Sequence, residues 1–129
     1  MKRLRLLVAD DHDYMRCSIV EMLCNDFQIV GAVCDGEELV QSATCLLPDV
    51  IVSDIHMPRM DGLTARHKLI TRQRSIPFVF VSALDRVVEF ALNGPPAALV
   101  YKGDMPAHLS KAVAAVFTGQ PYLSPHYRE

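Results

Sequence analysis

The chain has 129 residues, 50% of them hydrophobic and 22% charged, a balance that excludes a disordered segment and needs no disulfide or metal to hold a core. Thirteen Lys and Arg against fifteen Asp and Glu leave a formal charge of −2 with the five His neutral, so these residues lack the basic surplus of a nucleic-acid-binding surface. At roughly 150 residues per domain, the length predicts one domain around one core.

The first residues, Met1-Lys2-Arg3-Leu4-Arg5-Leu6-Leu7-Val8-Ala9, are basic and then apolar, but Asp10 and Asp11 cut the run short of a signal-peptide core. No export is expected, which points to the cytoplasm. No apolar stretch reaches the ~18 residues of a membrane-spanning helix, so no membrane association is expected. The run 4–9 reads as a first strand. Met15, Ile19, Met22 and Leu23 then recur at helical spacing. A second strand over 29–33 leads through Asp35-Gly36 into a helix whose inner face carries Leu39, Val40, Ala43 and Leu47, closed by Pro48.

A third strand covers 50–52, and Asp61-Gly62 opens a short helix around 63–70. The surrounding Arg66, His67, Lys68, Arg72 and Arg74 read as a solvated face. Pro77 precedes a fourth strand over 78–81, a short helix is expected over 87–92, and a fifth strand covers 97–101. Leu109, Ala112, Val113 and Val116 mark a last helix with Pro106 in its first turn. Gly119, Pro121, Ser124 and Pro125 then read as a linker or tail over 119–129, after a domain of residues 1–118. Cys17, Cys24, Cys34 and Cys45 form no C-x-x-C pair and read as reduced thiols in the core or at its boundary.

Five strand-helix alternations, with strands that lack polar alternation, predict an α/β fold: a (βα)5 doubly wound parallel sheet of flavodoxin-like order 2-1-3-4-5. Polar residues fall where each strand ends: Asp10 and Asp11 after the first, Asp54 after the third, Ser82 after the fourth, Lys102 after the fifth. In an open α/β sheet these carboxyl ends line one crevice. Three carboxylates gathered there repel one another unless a cation intervenes, and oxygen donors without cysteine suit Mg2+. A carboxylate beside Mg2+ can take up a phosphoryl group as an aspartyl phosphate. Lys102 would supply an ammonium, Ser82 a hydroxyl, and the loops at His56 and Ala83 backbone N–H donors.

Val8-Ala9-Asp10-Asp11-His12, the run from Asp49 to Gly62 with its Asp-x-x-Met-Pro-x-Met-Asp-Gly core, Val79-Phe80-Val81-Ser82-Ala83, and Lys102 resemble the signatures of receiver domains of two-component response regulators, the CheY-like family. The resemblance spans residues 4 to about 118. It implies a switch module rather than an enzyme, with Asp54 as phosphoacceptor from a sensor histidine kinase. It also implies Mg2+ held by Asp11 directly, by Asp10 through water, by Asp54 and by the His56 backbone carbonyl. Lys102 would contact the phosphoryl oxygens and Ser82 would be the switch hydroxyl, with Ala83, Leu99 and Tyr101 on the switch face.

The stretch from Val116 to Pro125, with Lys102-Gly103-Asp104, resembles receivers that precede a LuxR-type helix-turn-helix domain. That implies a transcription regulator, a possible homodimer, and DNA contacted only through an output domain outside these residues. The chain departs from the family pattern in its moving part. Leu99 stands three residues before Lys102, where the family carries an aromatic, and Tyr101 lies on the same face of the strand. Gly94-Pro95-Pro96 precedes the fifth strand, and the stretch from Ser82 to Lys102 is short. These departures motivate a second reading, an interaction module that works without phosphorylation. A third, a Mg2+-dependent phosphohydrolase using Asp11 and Asp13, leaves the Asp54 loop unexplained.

Overall fold

The computed structural model describes residues 3–84 and 94–128. The apolar runs become β1 (Arg5–Ala9), β2 (Gln28–Val33), β3 (Val50–Asp54), β4 (Phe78–Ser82) and β5 (Ala97–Tyr101). They alternate with α1 (Asp13–Leu23), α2 (Gly36–Leu46) and α3 (Gly62–Thr71), and β5 is followed by α4 (Met105–Phe117) and a two-residue β6 (Tyr122–Leu123). All pairings are parallel in the order β2-β1-β3-β4-β5-β6. The expected 2-1-3-4-5 order is thus present and extended by one strand. The helix expected over 87–92 lies outside the described residues.

Every residue of β3 and β4 is buried, because helices cover both faces of the sheet. Alternate side chains divide between two layers. Leu7, Ile51, Phe78, Phe80 and Leu99 pack with α2 and α3, whereas Leu6, Val8, Val52, Val79, Val81 and Val100 pack with α1 and α4. Phe78 and Phe80 stack with ring centroids 5.1 Å apart. β2, at the sheet edge, is only partly buried.

Caps set the helix starts. Asp35 accepts the Glu38 N–H at 2.8 Å and Asp61 accepts the Thr64 N–H at 2.7 Å, each satisfying a donor that the first turn leaves unpaired. Four expectations are corrected. Leu47 does not join the buried face of α2: it is 53% exposed and left-handed (φ 49), because a residue before proline is pushed out of the helical region. Arg66 is not on a solvated face: it is buried and its guanidinium donates to the Pro95 carbonyl, while His67, Lys68, Arg72 and Arg74 are exposed. The four cysteines are free and exposed rather than in the core or at its boundary. On α1, for instance, Cys17 stands two residues from buried Ile19 and so on the opposite side of the helix.

The fourth correction concerns the C-terminal stretch, which packs as part of the sheet instead of trailing from it. β6 pairs with β5 through Ala98↔Tyr122 and Leu99↔Leu123. The Ser124 N–H donates to the Leu99 carbonyl at 3.0 Å, and the Ser124 hydroxyl oxygen accepts the Tyr101 N–H at 2.8 Å. These bonds satisfy the open edge of β5, so Ser124 is fully buried and Tyr127 nearly so.

Candidate functional site

Asp54 ends β3 and is 5% exposed. Its strand end is fixed by neighbours that leave no slack. The Ser53 hydroxyl donates to the Asp54 carbonyl at 2.7 Å, and the Gly62 N–H donates to the Ile55 carbonyl at 2.7 Å. A Cβ at Gly62 would lie 2.3 Å from the Asp54 carbonyl oxygen, so α3 can begin this close to the site only with glycine there. The connecting loop turns back on itself, with Arg59 at φ 68.

One oxygen from each of Asp10, Asp11 and Asp54, together with a His12 ring nitrogen, lies within 4.8 Å of the others. Asp10 is fully buried at the end of β1, its N–H bonded to the Val33 carbonyl and its carbonyl held by the Arg16 guanidinium at 2.9 Å. Asp10 Oδ2 and Asp11 Oδ1 are buried and accept no hydrogen bond among the described residues. His12 is largely exposed, yet its Nδ1 stands 3.5 Å from Asp10 and 3.3 Å from Asp11. Orphaned carboxylate oxygens beside a third carboxylate fit a hard divalent cation, which would satisfy them and relieve their repulsion. Asp13 does not join them: it is exposed and paired with Arg16 at 2.6 Å.

Burial pushes the Asp54 carboxyl above the usual carboxylate range. Lys102, whose Nζ is 3.5 Å from Asp54 Oδ2, pulls it down; Asp10 pushes it up again, and the backbone N–H groups of Ile55 and His56 lower it. Desolvation wins. His56 therefore reaches Asp54 through its N–H, while its side chain is exposed.

Ser82 closes β4, is buried, and accepts the Leu84 N–H at 2.9 Å through its hydroxyl oxygen. Among the described residues its own O–H has no acceptor. Ala83 is exposed in the loop that follows. Leu99 is fully buried among Phe78 and Phe80, opposite Phe80 in the β-ladder, and Tyr101 pairs opposite Ser82. The Tyr101 ring stacks on His126, centroids 3.7 Å apart.

The sequence reading gave no role to Arg16, His126 or Tyr127, and took Asp104 only as part of the run 102–104. Only Arg16 carried a signal, its three-residue spacing from Asp13 on one helix. A second cluster, Cys34, Asp35 and Glu38, is engaged internally: Asp35 caps α2 and the Cys34 thiol bonds Glu38 at 3.2 Å. A cavity of about 330 Å³ between α2 and α3, lined by Glu37, Thr44, Lys68 and Arg72 among others, contains none of the predicted site residues. No helix among the described residues is long and apolar enough to cross a membrane.

Comparison with known proteins agrees with this architecture. Residues 6–113 match the response regulator receiver domain family. The response regulator GacA of Pseudomonas viridiflava is 37% identical over 126 residues, which cover 95% of this chain and 59% of that protein. The chain therefore spans little more than half the length of the GacA relatives it matches. Protein-glutamate methylesterase/protein-glutamine glutaminase 1 of Methanosarcina acetivorans is 43% identical over 83 residues, 63% of this chain but only 24% of that protein. Among solved structures, the signal receiver domain of the response regulator NarL from Mycobacterium tuberculosis superposes with a TM-score of 0.84 at 25% identity, covering 93% of this chain and all of that one. A LuxR-family two-component response regulator from Aurantimonas sp. SI85-9A1 shares the fold, with a TM-score of 0.87 at 20% identity, covering 96% of this chain and 91% of that one. The strand order, the acidic notch at its carboxyl end and the match over 6–113 together make this chain a member of the response regulator receiver domain family.

Proposed function

We propose that Asp54 accepts a phosphoryl group from a phosphohistidine on a sensor histidine kinase. A carboxylate oxygen of Asp54 bonds to phosphorus as the phosphorus–nitrogen bond breaks, and the departing imidazole keeps the electron pair. The observation that carries this reading is the buried Asp54 carboxylate, 3.5 Å from Lys102 and beside two acids whose inner oxygens accept no hydrogen bond among the described residues.

Asp10, Asp11, Asp54 and the His56 backbone carbonyl would hold Mg2+, which supplies charge neutralisation for the transferring oxygens. The Lys102 ammonium holds one phosphoryl oxygen. The Ser82 hydroxyl donates to another, because a new dianion draws in the nearest available O–H. In this reading the chain is a switch rather than an enzyme with a substrate of its own. It acts in the cytoplasm, and residues 119–129 lead toward a DNA-binding output domain that controls transcription, as homodimers would on paired sites. Resemblance to GacA over 59% of that protein's length supports this reading.

Incubation with Mg2+ and acetyl phosphate is expected to add one phosphoryl group by intact mass, and Asp54→Asn is expected to abolish it. A wild-type chain that stays unmodified overturns the reading.

A second reading rests on Leu99, which is fully buried in the core, and on Tyr101, already stacked on His126. Neither is a ring at liberty to follow Ser82, as an interaction module independent of phosphorylation would allow. That reading requires partner or promoter output to be unchanged by Asp54→Asn.

A further inference from the structure

Residues 124–127 are tied down at points that sit beside the phosphoryl-contacting residues of the proposed site. The Tyr127 hydroxyl donates to the Leu84 carbonyl at 2.7 Å, while the Leu84 N–H is held by the Ser82 hydroxyl oxygen at 2.9 Å. One residue, Leu84, is thus gripped by the switch hydroxyl on one side and by the C-terminal segment on the other. The His126 N–H donates to an Asp104 carboxylate oxygen at 2.9 Å, two residues beyond Lys102 in the same 3-10 turn. The His126 ring lies flat on Tyr101, the residue before Lys102, at an interplanar angle of 10°, and Tyr127 meets Tyr101 edge-on with centroids 6.1 Å apart.

We propose that residues 124–127 form a latch whose closure depends on the state of Asp54, with Tyr127 as the residue that positions the loop 82–84. The proposal rests on the reading of Asp54 as phosphoacceptor. When Ser82 turns its hydroxyl toward the phosphoryl oxygens, Leu84 loses its N–H acceptor and its backbone reorients, so the Leu84 carbonyl leaves Tyr127. When Lys102 shifts from the Asp54 carboxylate to a phosphoryl oxygen, the 3-10 turn carrying Asp104 moves with it, and the His126 N–H loses its acceptor. Both ties weaken for the same cause.

The device also accounts for the departure at Leu99. A fully buried leucine packed among Phe78 and Phe80 cannot report a change at Ser82 by swinging inward, whereas the 124–127 segment reaches the switch residues through Leu84 and Asp104. Linkage makes the coupling reciprocal: an opened latch favours the modified state of Asp54 by the factor with which modification favours opening.

The test follows amide hydrogen exchange in the full chain with and without Mg2+ and beryllofluoride, with fluorine NMR reporting adduct formation separately. Adduct formation is expected to speed exchange at Ser124, His126 and Tyr127 about tenfold, the effect of losing one hydrogen bond on a local opening equilibrium. Tyr127→Phe keeps the ring and removes only the hydroxyl. It is expected to exchange fast in 124–127 without beryllofluoride and to reach half-saturation at a several-fold lower beryllofluoride concentration. An adduct that leaves exchange in 124–127 unchanged overturns the latch while sparing the phosphoacceptor reading. So does a Tyr127→Phe variant with wild-type beryllofluoride affinity, since a purely structural hydroxyl would not move that affinity. A wild-type chain that forms no adduct removes both.

Discussion

The acidic notch and the C-terminal segment lie at the same end of the sheet and are built on opposite rules. In the notch, Asp10 and Asp54 are buried as like charges, two carboxylate oxygens accept no hydrogen bond among the described residues, and the Lys102 ammonium stands 3.5 Å from Asp54. Along 122–128, by contrast, backbone and side-chain groups find partners: Ser124 with Leu99 and Tyr101, His126 with Asp104, Tyr127 with Leu84 and the Arg128 guanidinium with the Leu123 carbonyl. A site left electrostatically unfinished gains most from incoming cation and phosphoryl group. A segment held by several individually modest bonds is one that a small change can release.

The largest expected effect comes from removing the charge that leaves the notch unfinished. Asp54→Asn should eliminate adduct formation entirely and yet stabilise the fold. Because burial holds the Asp54 carboxyl above its ordinary value of 3.8, the folded chain binds that proton more tightly than the unfolded chain. Stability therefore falls as pH rises from the ordinary carboxylate range through the raised value. In the absence of Mg2+, thermal melts should show Asp54→Asn above wild type at neutral pH, with the gap closing on acidification. Added Mg2+ should raise the wild-type melting temperature and leave that of the variant nearly unchanged. A wild-type melt at neutral pH equal to the variant's would mean that the notch is not strained.

Lys102→Ala sharpens the contrast from the other side. It removes the cation that draws the Asp54 carboxyl down, so the pH midpoint for reaction with acetyl phosphate should shift upward. Loss of one charged donor to the transferring group should slow phosphorylation about 10²-fold, read from the time course of intact mass. Gly62→Ala acts on the notch through backbone alone. Its Cβ would fall 2.3 Å from the Asp54 carbonyl, and the displacement should cost about 1–3 kcal/mol in chemical denaturation while weakening Mg2+ binding. Gly119 is the control: its φ of 88 makes alanine strained by about 1 kcal/mol, but among the described residues nothing lies within 4 Å, so Mg2+ binding should not change.

The two regions also differ in how far the sequence disclosed them. Each notch residue ends an apolar run, and parallel strands must bring their carboxyl ends together, so Asp10, Asp11, Asp54, Ser82 and Lys102 could be named before any coordinates. The strand over 97–101 was legible for the same reason. The C-terminal segment was not, because Gly119, Pro121 and Pro125 have the composition of a linker. What holds it is a two-residue ladder and bonds across 22 to 43 residues, which no periodicity records. Arg66 escaped likewise, since its partner is a backbone carbonyl 29 residues away. Leu47 was misplaced because its helical spacing was followed past the point where Pro48 overrides it.

The smallest expected effect separates the regions most cleanly. Ser124→Ala removes the acceptor of the Tyr101 N–H at a fully buried position without touching any residue of the notch. One unpaired backbone donor should cost about 1–2 kcal/mol. The loss should appear as faster amide exchange confined to 122–127 and the end of β5, and because an opened segment favours the modified state of Asp54, phosphorylation should proceed at least as readily as in the wild type. If instead Ser124→Ala abolished phosphorylation, the edge of β5 would be part of the machinery that shapes the notch. The contrast between an unfinished site and a fastened segment would then give way to one continuous structure, in which Tyr101 passes strain to Lys102 along the strand.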